Sequence, residues 1–462
     1  MSQLSNRTFD EIKLGAIETA SRTLTTPDVE ALALAAGDVE GFHLEGGTAE
    51  DRISAQGAAA VALVAGLLNR RLPGPGSAII GTAFRYTGAC QVGDTLTATV
   101  TAKAKHKRTH TIDFACTCTN QHGIKLVDGI AIVQAPTEHI AYADVATPQF
   151  ILRRNDGFAK LFRQCEGLPP ITCAIVHPCD RDSLLGPIEA AKRGLIVPVL
   201  VGPEARIRAV ARAENVDLSP YQIVPVEHSH AAAAKAVELA RAGNVDALMK
   251  GSLHTDELMG AVVSGATGLR TARRISHVFV MDVPTYPRLL MVTDAAINLY
   301  PTLEDKVDIC QNAIDLAHVL GVARPRVAIL SAIETINPKI PSTLDAAALC
   351  KMADRGQIDG GILDGPLAFD NAISVDAART KKIGSPVAGR ADILLVPDLE
   401  AGNMLAKQLQ YLAGADSAGI VLGTRVPIVL TSRADNVRTR LASAAVMKIV
   451  ANERRARLIP KD

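Results

Sequence analysis

The chain has 462 residues, of which 48% are hydrophobic and 21% are charged, and its formal net charge is +1. This length predicts about two or three domains, with ample material for packed cores. The near-zero charge argues against a general role on nucleic acids or membrane surfaces. No apolar run approaches the roughly 20 residues that span a bilayer, and the N-terminus lacks the apolar core of a signal peptide, so we expect a cytoplasmic protein.

Eight cysteines are scattered along the chain, and we expect them to be thiols rather than a disulfide framework. Cys116 and Cys118 alternate within a β pattern and therefore share one face, where packing is favoured over a metal or redox pair. Cys179 follows a predicted strand and is a candidate reactive loop thiol.

The first third of the chain has the pattern of a helix held by an antiparallel sheet. Residues 9–25 alternate weakly, as at a sheet edge, and Thr26 precedes a proline and an acid, which predicts a helix start with Thr26 as the cap. Residues 57–68 are helical and apolar all round, which predicts burial on all sides. The strands that would cover this helix alternate with period two and are predicted at 83–87, 95–105, 110–119 and 125–134. A turn at 120–123 joins the last two of them.

A buried helix embraced by an antiparallel sheet is the hot-dog architecture. Within it, Asp38 and His43 lie five residues apart in the segment GDVEGFH, before the small-residue helix. This pattern resembles the MaoC-like dehydratase and (R)-specific enoyl-CoA hydratase family, in which such an Asp and His activate water for addition to an enoyl-CoA. The resemblance implies that Asp38 and His43 are catalytic.

One feature departs from that family, which usually has Asn-Pro between the two residues, where this chain has Glu40 and Gly41. An alternative is therefore a hot-dog domain that only binds acyl-CoA or dimerises. A basic cluster at a strand end is interpreted as a solvated hairpin tip, with a clamp for CoA phosphates as the alternative: Lys103, Lys105, Lys107 and Arg108.

The rest of the chain alternates between apolar strands and helices. We place the first domain at 1–140, a linker at 141–156 and the second domain at 157–462. Predicted helices include 231–242, 303–320 and 344–353. Parallel sheets covered by helices are predicted, in two α/β lobes with a cleft between them, from strands at 171–176, 196–201, 247–249, 277–281, 289–292, 327–330 and 358–363.

The segment 364–433 contains three further apolar runs that are typical of buried parallel strands, at 393–396, 419–422 and 426–430. In such sheets, ligands bind where strand ends meet helix starts. A glycine lets backbone N–H groups approach an anion, and Lys and Arg side chains can hold a phosphate. The candidates that lie just past two of these runs are Gly402, Asn403, Lys407, Ser432 and Arg433.

The sequence PDLEAGNMLAK, with SPVAGRAD before it and PIVLTSRAD after it, resembles the phosphate acetyl/butyryl transferase family. The segments LMKGSLHTDELM, RRISHVFVMD and MVTDAAINLYPTLEDK extend this resemblance over the last two thirds of the chain. It implies a two-lobed fold and transfer of an acyl group between CoA and phosphate. CoA would be a substrate, with no tightly bound cofactor and no metal, in a homodimer or higher homo-oligomer.

The resemblance also implies roles for individual residues. Ser432 would donate a hydrogen bond to the reacting acyl or thiol group, and Arg433 would bind phosphate. Asn403 and Lys407 would complete the anion site. Lys250 and His254 would line the wall of the site opposite the anion-binding residues, and Asp294 would orient the substrate. Each has an alternative: a helix-end cation for Lys250, a capping or packing residue for His254 and a helix cap for Asp294.

In acetyltransferase members an acid lies seven positions after the motif serine, where this chain has Thr439. Asp435 is a candidate substitute and alternatively a helix cap, so the general base and the acyl-chain length stay open. The SRAD continuation is closer to the butyryltransferase branch. Two alternatives to a bifunctional enzyme remain: only the transferase is active, or the C-terminal domain is a ligand-sensing or oligomerising unit.

Overall fold

The structure is a computed structural model, and it describes residues 3–37, 58–143, 156–430 and 437–458. The chain divides into two compact units, Met1–Leu152 and Arg153–Asp462. Most of the predicted linker lies outside the described residues, so the predicted domain bounds stay a prediction. Within the described ranges, we find no helix whose length and apolar character would suit it to cross a membrane.

The first unit contains a five-stranded antiparallel sheet with the order β2-β4-β5-β6-β3, and a separate pair formed by β1 and β7. Its elements are β1 (Gln3–Ser5), β2 (Ile17–Thr23), α1 (Thr26–Ala36), α2 (Ala58–Arg70), β3 (Ala78–Tyr86), β4 (Thr95–His106), β5 (Thr111–Thr119), β6 (Lys125–Gln134) and β7 (Ala141–Ala143).

Helix α1 begins at the predicted position, but its cap differs. The side chain of Thr25 accepts a hydrogen bond from the backbone N–H of Asp28, and the Asp28 carboxylate accepts one from the Thr25 N–H. Thr25 is therefore the cap of a capping box, and Thr26 is the first helical residue. The prediction that Thr26 is the cap is wrong, because two adjacent threonines compete and only the first lies three residues before the acid.

Helix α2 packs against the sheet through Ala60, Val64 and Leu68, which are fully buried. On its other side, Ala62 is exposed among the described residues. The prediction that this helix is buried on all sides is wrong. A cavity of about 680 Å³, lined mainly by leucine and alanine side chains of α1, α2 and the sheet, lies beside this helix.

Two cysteines and one lysine of the first unit serve packing. Cys116 and Cys118 both lie in the core on one face of β5, as predicted, and burial raises the pKa of each thiol to about 11. Lys105 donates hydrogen bonds to the carbonyl oxygens of Phe9 and Ile12, and its ammonium lies 4.4 Å from the centre of the Phe9 ring. Lys105 therefore anchors the N-terminal segment.

The second unit contains an eleven-stranded sheet with the order β10-β9-β8-β11-β18-β17-β12-β13-β16-β14-β15. Its strands are β8 (Ile171–Val176), β9 (Ile196–Gly202), β10 (Gln222–Pro225), β11 (Ala247–Lys250), β12 (Ser276–Asp282), β13 (Leu290–Thr293), β14 (Arg326–Leu330), β15 (Ile362–Leu367), β16 (Ile393–Leu395), β17 (Asp416–Leu422) and β18 (Ile428–Val429).

The helices of the second unit alternate with these strands, as the sequence predicts for an α/β domain. They are α3 (Asp156–Gln164), α4 (Arg181–Lys192), α5 (Glu204–Ala213), α6 (Ser229–Arg241), α7 (Thr255–Val263), α8 (Leu303–Val319), α9 (Pro341–Asp354), α10 (Phe369–Ile373), α11 (Val375–Thr380), α12 (Leu399–Tyr411) and α13 (Val437–Leu458).

The strands form two parallel groups. Strands β10, β9, β8, β11 and β18 run in one direction, and β13, β16, β14 and β15 run in the opposite direction. Between them, β17 and β12 are antiparallel to each other and to their outer neighbours. The prediction of purely parallel strands is therefore wrong for β12 and β17, because β17 returns through a turn directly into β18.

The sheet is covered on both faces. One continuous core lies on one face and includes the buried side of α13. Two further cores are separate from it: one contains residues of α6 and α7, and the other contains residues of β13, β16 and α12. A sheet buried on both faces explains why its strands read as continuous apolar runs. In such a sheet, the turns at the strand ends are where polar residues can form a ligand site.

Candidate functional site

The first group of predicted site residues lies at the carboxyl end of β11. Lys250 is the last residue of this strand and pairs with Val176 of β8 on one side. On the other side, Met249 pairs with Val429 of β18, and the sequence continues from there to Ser432 and Arg433. The ends of three parallel strands, β8, β11 and β18, therefore meet at Lys250.

The Lys250 side chain is half-buried, and its ammonium donates hydrogen bonds to backbone carbonyl oxygens in its own turn, 3.1 Å from that of Leu253. This position is more constrained than that of an ordinary surface lysine. His254 caps the backbone of α7 without a side-chain capping hydrogen bond, and it is exposed. The two residues lie at opposite ends of one short turn, and their roles in substrate binding stay predictions.

This turn is fastened to the chain that follows β8. The Gly251 N–H donates to the Val176 carbonyl at 2.9 Å, and the Ser252 N–H donates to the His177 carbonyl at 2.9 Å. A Cβ on Gly251 would lie 2.4 Å from the Val176 oxygen, so only glycine fits there. The Ser252 hydroxyl donates to the His177 carbonyl at 2.8 Å and accepts from the Cys179 N–H at 3.1 Å.

His177 and Ser252 were not identified from the sequence. His177 follows β8, is 5% exposed, and has a φ of 58°, a backbone conformation that histidine rarely adopts. In the segment HPCD, only Cys179 was predicted to be a candidate reactive thiol. Burial raises the pKa of that thiol, which opposes formation of a reactive thiolate. A His-Pro pair directly after a buried strand was the signal that could have been noticed.

The second group lies at the carboxyl end of β13. The Asp294 carboxylate is 2% exposed and accepts four hydrogen bonds, from the N–H groups of residues 296–298 and from the Asn298 side chain. Burial raises the pKa of Asp294, while these hydrogen bonds lower it. The carboxylate thus holds its own turn together, and its predicted contact with substrate stays a prediction.

Helix α12 packs on this turn through the predicted anion-site residues. A Cβ on Gly402 would lie 2.9 Å from the Asp294 carbonyl oxygen, so this glycine allows close packing. The Asn403 amide donates to the Ala295 carbonyl at 3.1 Å, and Lys407 is exposed one turn further along. Asp398 is the N-cap of the helix, and its side chain accepts a hydrogen bond from the Ala401 N–H.

These two groups extend from strands of opposite direction, since β11 and β18 belong to one parallel group and β13 and β16 to the other. The sequence predicted one anion site from Asn403, Lys407, Ser432 and Arg433. The described strands show only that the two halves of this predicted site come from opposite parallel groups.

Several predicted residues lie outside the described residues: Asp38, Glu40, Gly41, His43, Ser432, Arg433 and Asp435. Thr439 is described, and it lies in the first turn of α13 with 4% exposure. Its hydroxyl cannot replace a carboxylate as a base. Beside it, Arg438 pairs with Asp416 at 2.9 Å. In the described ranges no group of histidine, cysteine or acidic side chains is arranged to hold a metal ion.

Comparison with known proteins agrees with the fold of the second unit. A family described as phosphate acetyl/butaryl transferase matches residues 227–448. The phosphate acetyltransferase of Rhizobium meliloti is 64% identical over 299 residues, which cover 65% of this chain and 95% of that protein. The phosphate butyryltransferase of Clostridium acetobutylicum is 44% identical over 266 residues, covering 58% of this chain and 88% of that protein.

A crystal structure of a branched-chain phosphotransacylase from Enterococcus faecalis is similar as well, with 29% sequence identity and a TM-score of 0.54. The similarity covers 60% of this chain and 99% of that one. The relative from Rhizobium meliloti is matched over nearly its whole length at high identity. The chain therefore belongs to the phosphate acetyl/butyryl transferase family.

Proposed function

We propose that residues 153–462 transfer an acyl group between CoA and inorganic phosphate, and that acetyl is the preferred group. The observation that carries this proposal is the 64% identity to a phosphate acetyltransferase over 95% of its length. Identity to a phosphate butyryltransferase is lower, at 44%. This difference favours the smaller acyl group, although the SRAD segment resembles the butyryltransferase branch.

The strand ends support this chemistry. The half-buried ammonium of Lys250 lies where β8, β11 and β18 end, which suits an anion such as phosphate. Ser432 and Arg433 follow β18 in sequence by only a few residues. In the proposed reaction, the CoA sulfur attacks the acyl carbon of the acyl phosphate, the C–O bond to phosphate breaks, and phosphate leaves with its electron pair.

The CoA thiol must lose its proton in this step. Thr439 occupies the position of the family acid and is buried in α13, so it cannot accept that proton as a carboxylate would. We assign the proton to Asp435, which is three residues after Ser432 in the sequence. This assignment predicts that Asp435→Asn lowers kcat far more than it raises KM for CoA.

The first unit is proposed to hydrate enoyl-CoA through Asp38 and His43. Support comes from an apolar helix packed on a five-stranded antiparallel sheet, beside a cavity of about 680 Å³. That volume is within the usual range for small-molecule sites. Leucine and alanine side chains form most of its wall, and Arg22, Arg70 and Arg71 border it, so an acyl chain with an anionic head would suit it.

One set of assays tests both proposals. Thioester formation from CoA and acetyl, propionyl or butyryl phosphate would be measured in wild type, Ser432→Ala and Asp38→Ala, together with hydration of crotonyl-CoA. We expect Ser432→Ala to lose only the transfer and Asp38→Ala to lose only the hydration. Absence of transfer with every acyl phosphate would contradict the first proposal, and absence of hydration in wild type would leave the first unit as a binding or dimerisation module.

A further inference from the structure

The turn at 250–254 is held by His177 through more contacts than its backbone pairing requires. The His177 carbonyl accepts hydrogen bonds from both the N–H and the hydroxyl of Ser252, at 2.9 and 2.8 Å. The Nδ1 atom of the His177 ring lies 3.2 Å from the same hydroxyl and 3.3 Å from the Ser252 carbonyl oxygen. Every polar group of Ser252 is thus in contact with His177.

These contacts determine the proton position on the ring. The single hydroxyl proton of Ser252 is donated to the His177 carbonyl, and a carbonyl oxygen can only accept. Nδ1 must therefore carry the proton and donate it to Ser252. Burial is the main cause that lowers the pKa of His177, so the ring is neutral near pH 7.

The backbone of His177 is held in the left-handed region, with a φ of 58°. A non-glycine residue in this region is strained unless its surroundings compensate. Hydrogen bonds on both sides of the residue compensate for this strain. The His177 N–H donates to the Val201 carbonyl at 2.7 Å, and the His177 carbonyl accepts from the Ser252 N–H. The conformation directs both the carbonyl and the ring to one residue of the neighbouring turn.

We propose that His177 is a positioning residue of the transferase site, which fixes the turn at 250–254 and thereby holds Lys250 at the ends of β8, β11 and β18. The inference rests on the proposed function of the second unit. His177 acts through Ser252 and does not itself contact the reacting atoms. Its removal leaves Lys250 present but loosely placed.

Three substitutions separate the ring from the backbone. His177→Gly accepts the left-handed conformation and removes the ring, whereas His177→Asn tolerates that conformation and supplies an N–H donor. Asn215→Gly is the matched control, since Asn215 is exposed and has a φ of 55°. We expect kcat/KM for acetyl phosphate to fall about 10- to 100-fold in His177→Gly and to recover largely in His177→Asn. The control should match wild type.

A double variant tests whether His177 acts through Lys250. Lys250→Ala alone should lower kcat/KM, and adding His177→Gly should lower it little further, because the ring then has nothing left to position. Multiplication of the two losses would overturn the proposal. Equal losses in His177→Gly and His177→Asn would also overturn it, since they would show that the ring donor is not needed.

Amide hydrogen exchange of residues 250–254 gives a readout that does not depend on activity. We expect faster exchange in His177→Gly and near wild-type exchange in His177→Asn and Asn215→Gly. Unchanged exchange in His177→Gly would show that the ring does not fix the turn. Faster exchange in His177→Gly with an unaltered kcat/KM would overturn the proposal, because it would show that the position of the turn does not matter for catalysis. If wild type forms no acetyl-CoA, the proposed function fails, while exchange still decides whether His177 holds the turn.

Discussion

Asp294 lies at the end of β13 with its carboxylate surrounded by four donors. In Asp294→Asn, the new amide group faces donors instead of accepting from them, so we expect a loss of about 2–3 kcal/mol in the free energy of unfolding. Thermal unfolding with van't Hoff analysis measures this change. Asp376→Asn, on an exposed carboxylate of α11, is the control and should be neutral.

The same experiment decides between the two interpretations of Asp294. A variant with an unchanged melting temperature and a raised KM for substrate would show that the carboxylate serves the ligand and not the turn. The expected result is the reverse, a lower melting temperature in Asp294→Asn whether or not substrate is bound.

His277 lies on β12 and is fully buried, and burial lowers the pKa of its imidazole to about 4 from an ordinary value of 6.5. The unfolded chain therefore binds a proton between these values while the folded chain does not. The free energy of unfolding is therefore unaffected by His277 above pH 6.5, and it decreases as the pH falls toward 4, by an amount on the order of 3 kcal/mol.

We expect the melting temperature of wild type to fall steeply between pH 6.5 and 4, and that of His277→Asn to fall less. Scanning calorimetry at several pH values measures both curves. Parallel curves for the two proteins would show that other groups cause the acid sensitivity.

At the scale of elements, the contact between β8 and β11 depends on Gly251. A methyl group there would lie 2.4 Å from the Val176 carbonyl oxygen and 2.7 Å from that of His177. Because both atoms belong to the backbone, Gly251→Ala must separate the two strand ends. We expect kcat/KM for acetyl phosphate to fall at least about tenfold, with a lower melting temperature.

Gly260→Ala is the matched control for that substitution. Gly260 lies within α7, and no atom lies within 4 Å of the position that its Cβ would occupy. Alanine should therefore stabilise the helix by about 0.5–1 kcal/mol and leave kcat/KM unchanged. If Gly251→Ala behaved like this control, the close approach of β11 to β8 would not be needed for the site.

Elements with a strong local pattern could be predicted from the sequence. Strands β8 and β16 lie where the apolar runs predicted them. Strand β15 was predicted at 358–363 and lies at Ile362–Leu367, because its polar and glycine-containing second half hides the strand period. The apolar run of a single strand does not indicate the direction of that strand relative to its neighbours. For this reason β12 and β17 were predicted to belong to parallel sheets.

The candidate site shows the same division between local and non-local information. Lys250 was named as a candidate through the family-like segment LMKGSLHTDELM, and the structure places it at the end of β11, while its role in binding stays a prediction. His177 was missed, because its contact with Ser252 joins residues that are 75 positions apart. Gly402 was predicted as part of an anion site, but its close approach to Asp294 shows a packing role that only the tertiary structure reveals.

At the scale of the whole molecule, the chain contains separate hydrophobic cores. Every residue of the core around α2 belongs to the first unit, and the three cores along the long sheet belong to the second. Each unit therefore has its own source of folding stability. Among the described residues each core lies within one unit, so we expect the two units to unfold separately.

Separate cores lead us to expect two unfolding transitions in calorimetry of the full chain. Leu68→Ala and Ile175→Ala each remove a fully buried side chain, one from the core of each unit, and each should cost about 2–5 kcal/mol. Leu68→Ala should lower only the first unit's transition and preserve acetyl-CoA formation, whereas Ile175→Ala should lower only the other. A single transition shifted by both variants would mean that the units fold as one, and loss of transfer in Leu68→Ala would show that the transferase depends on the first unit.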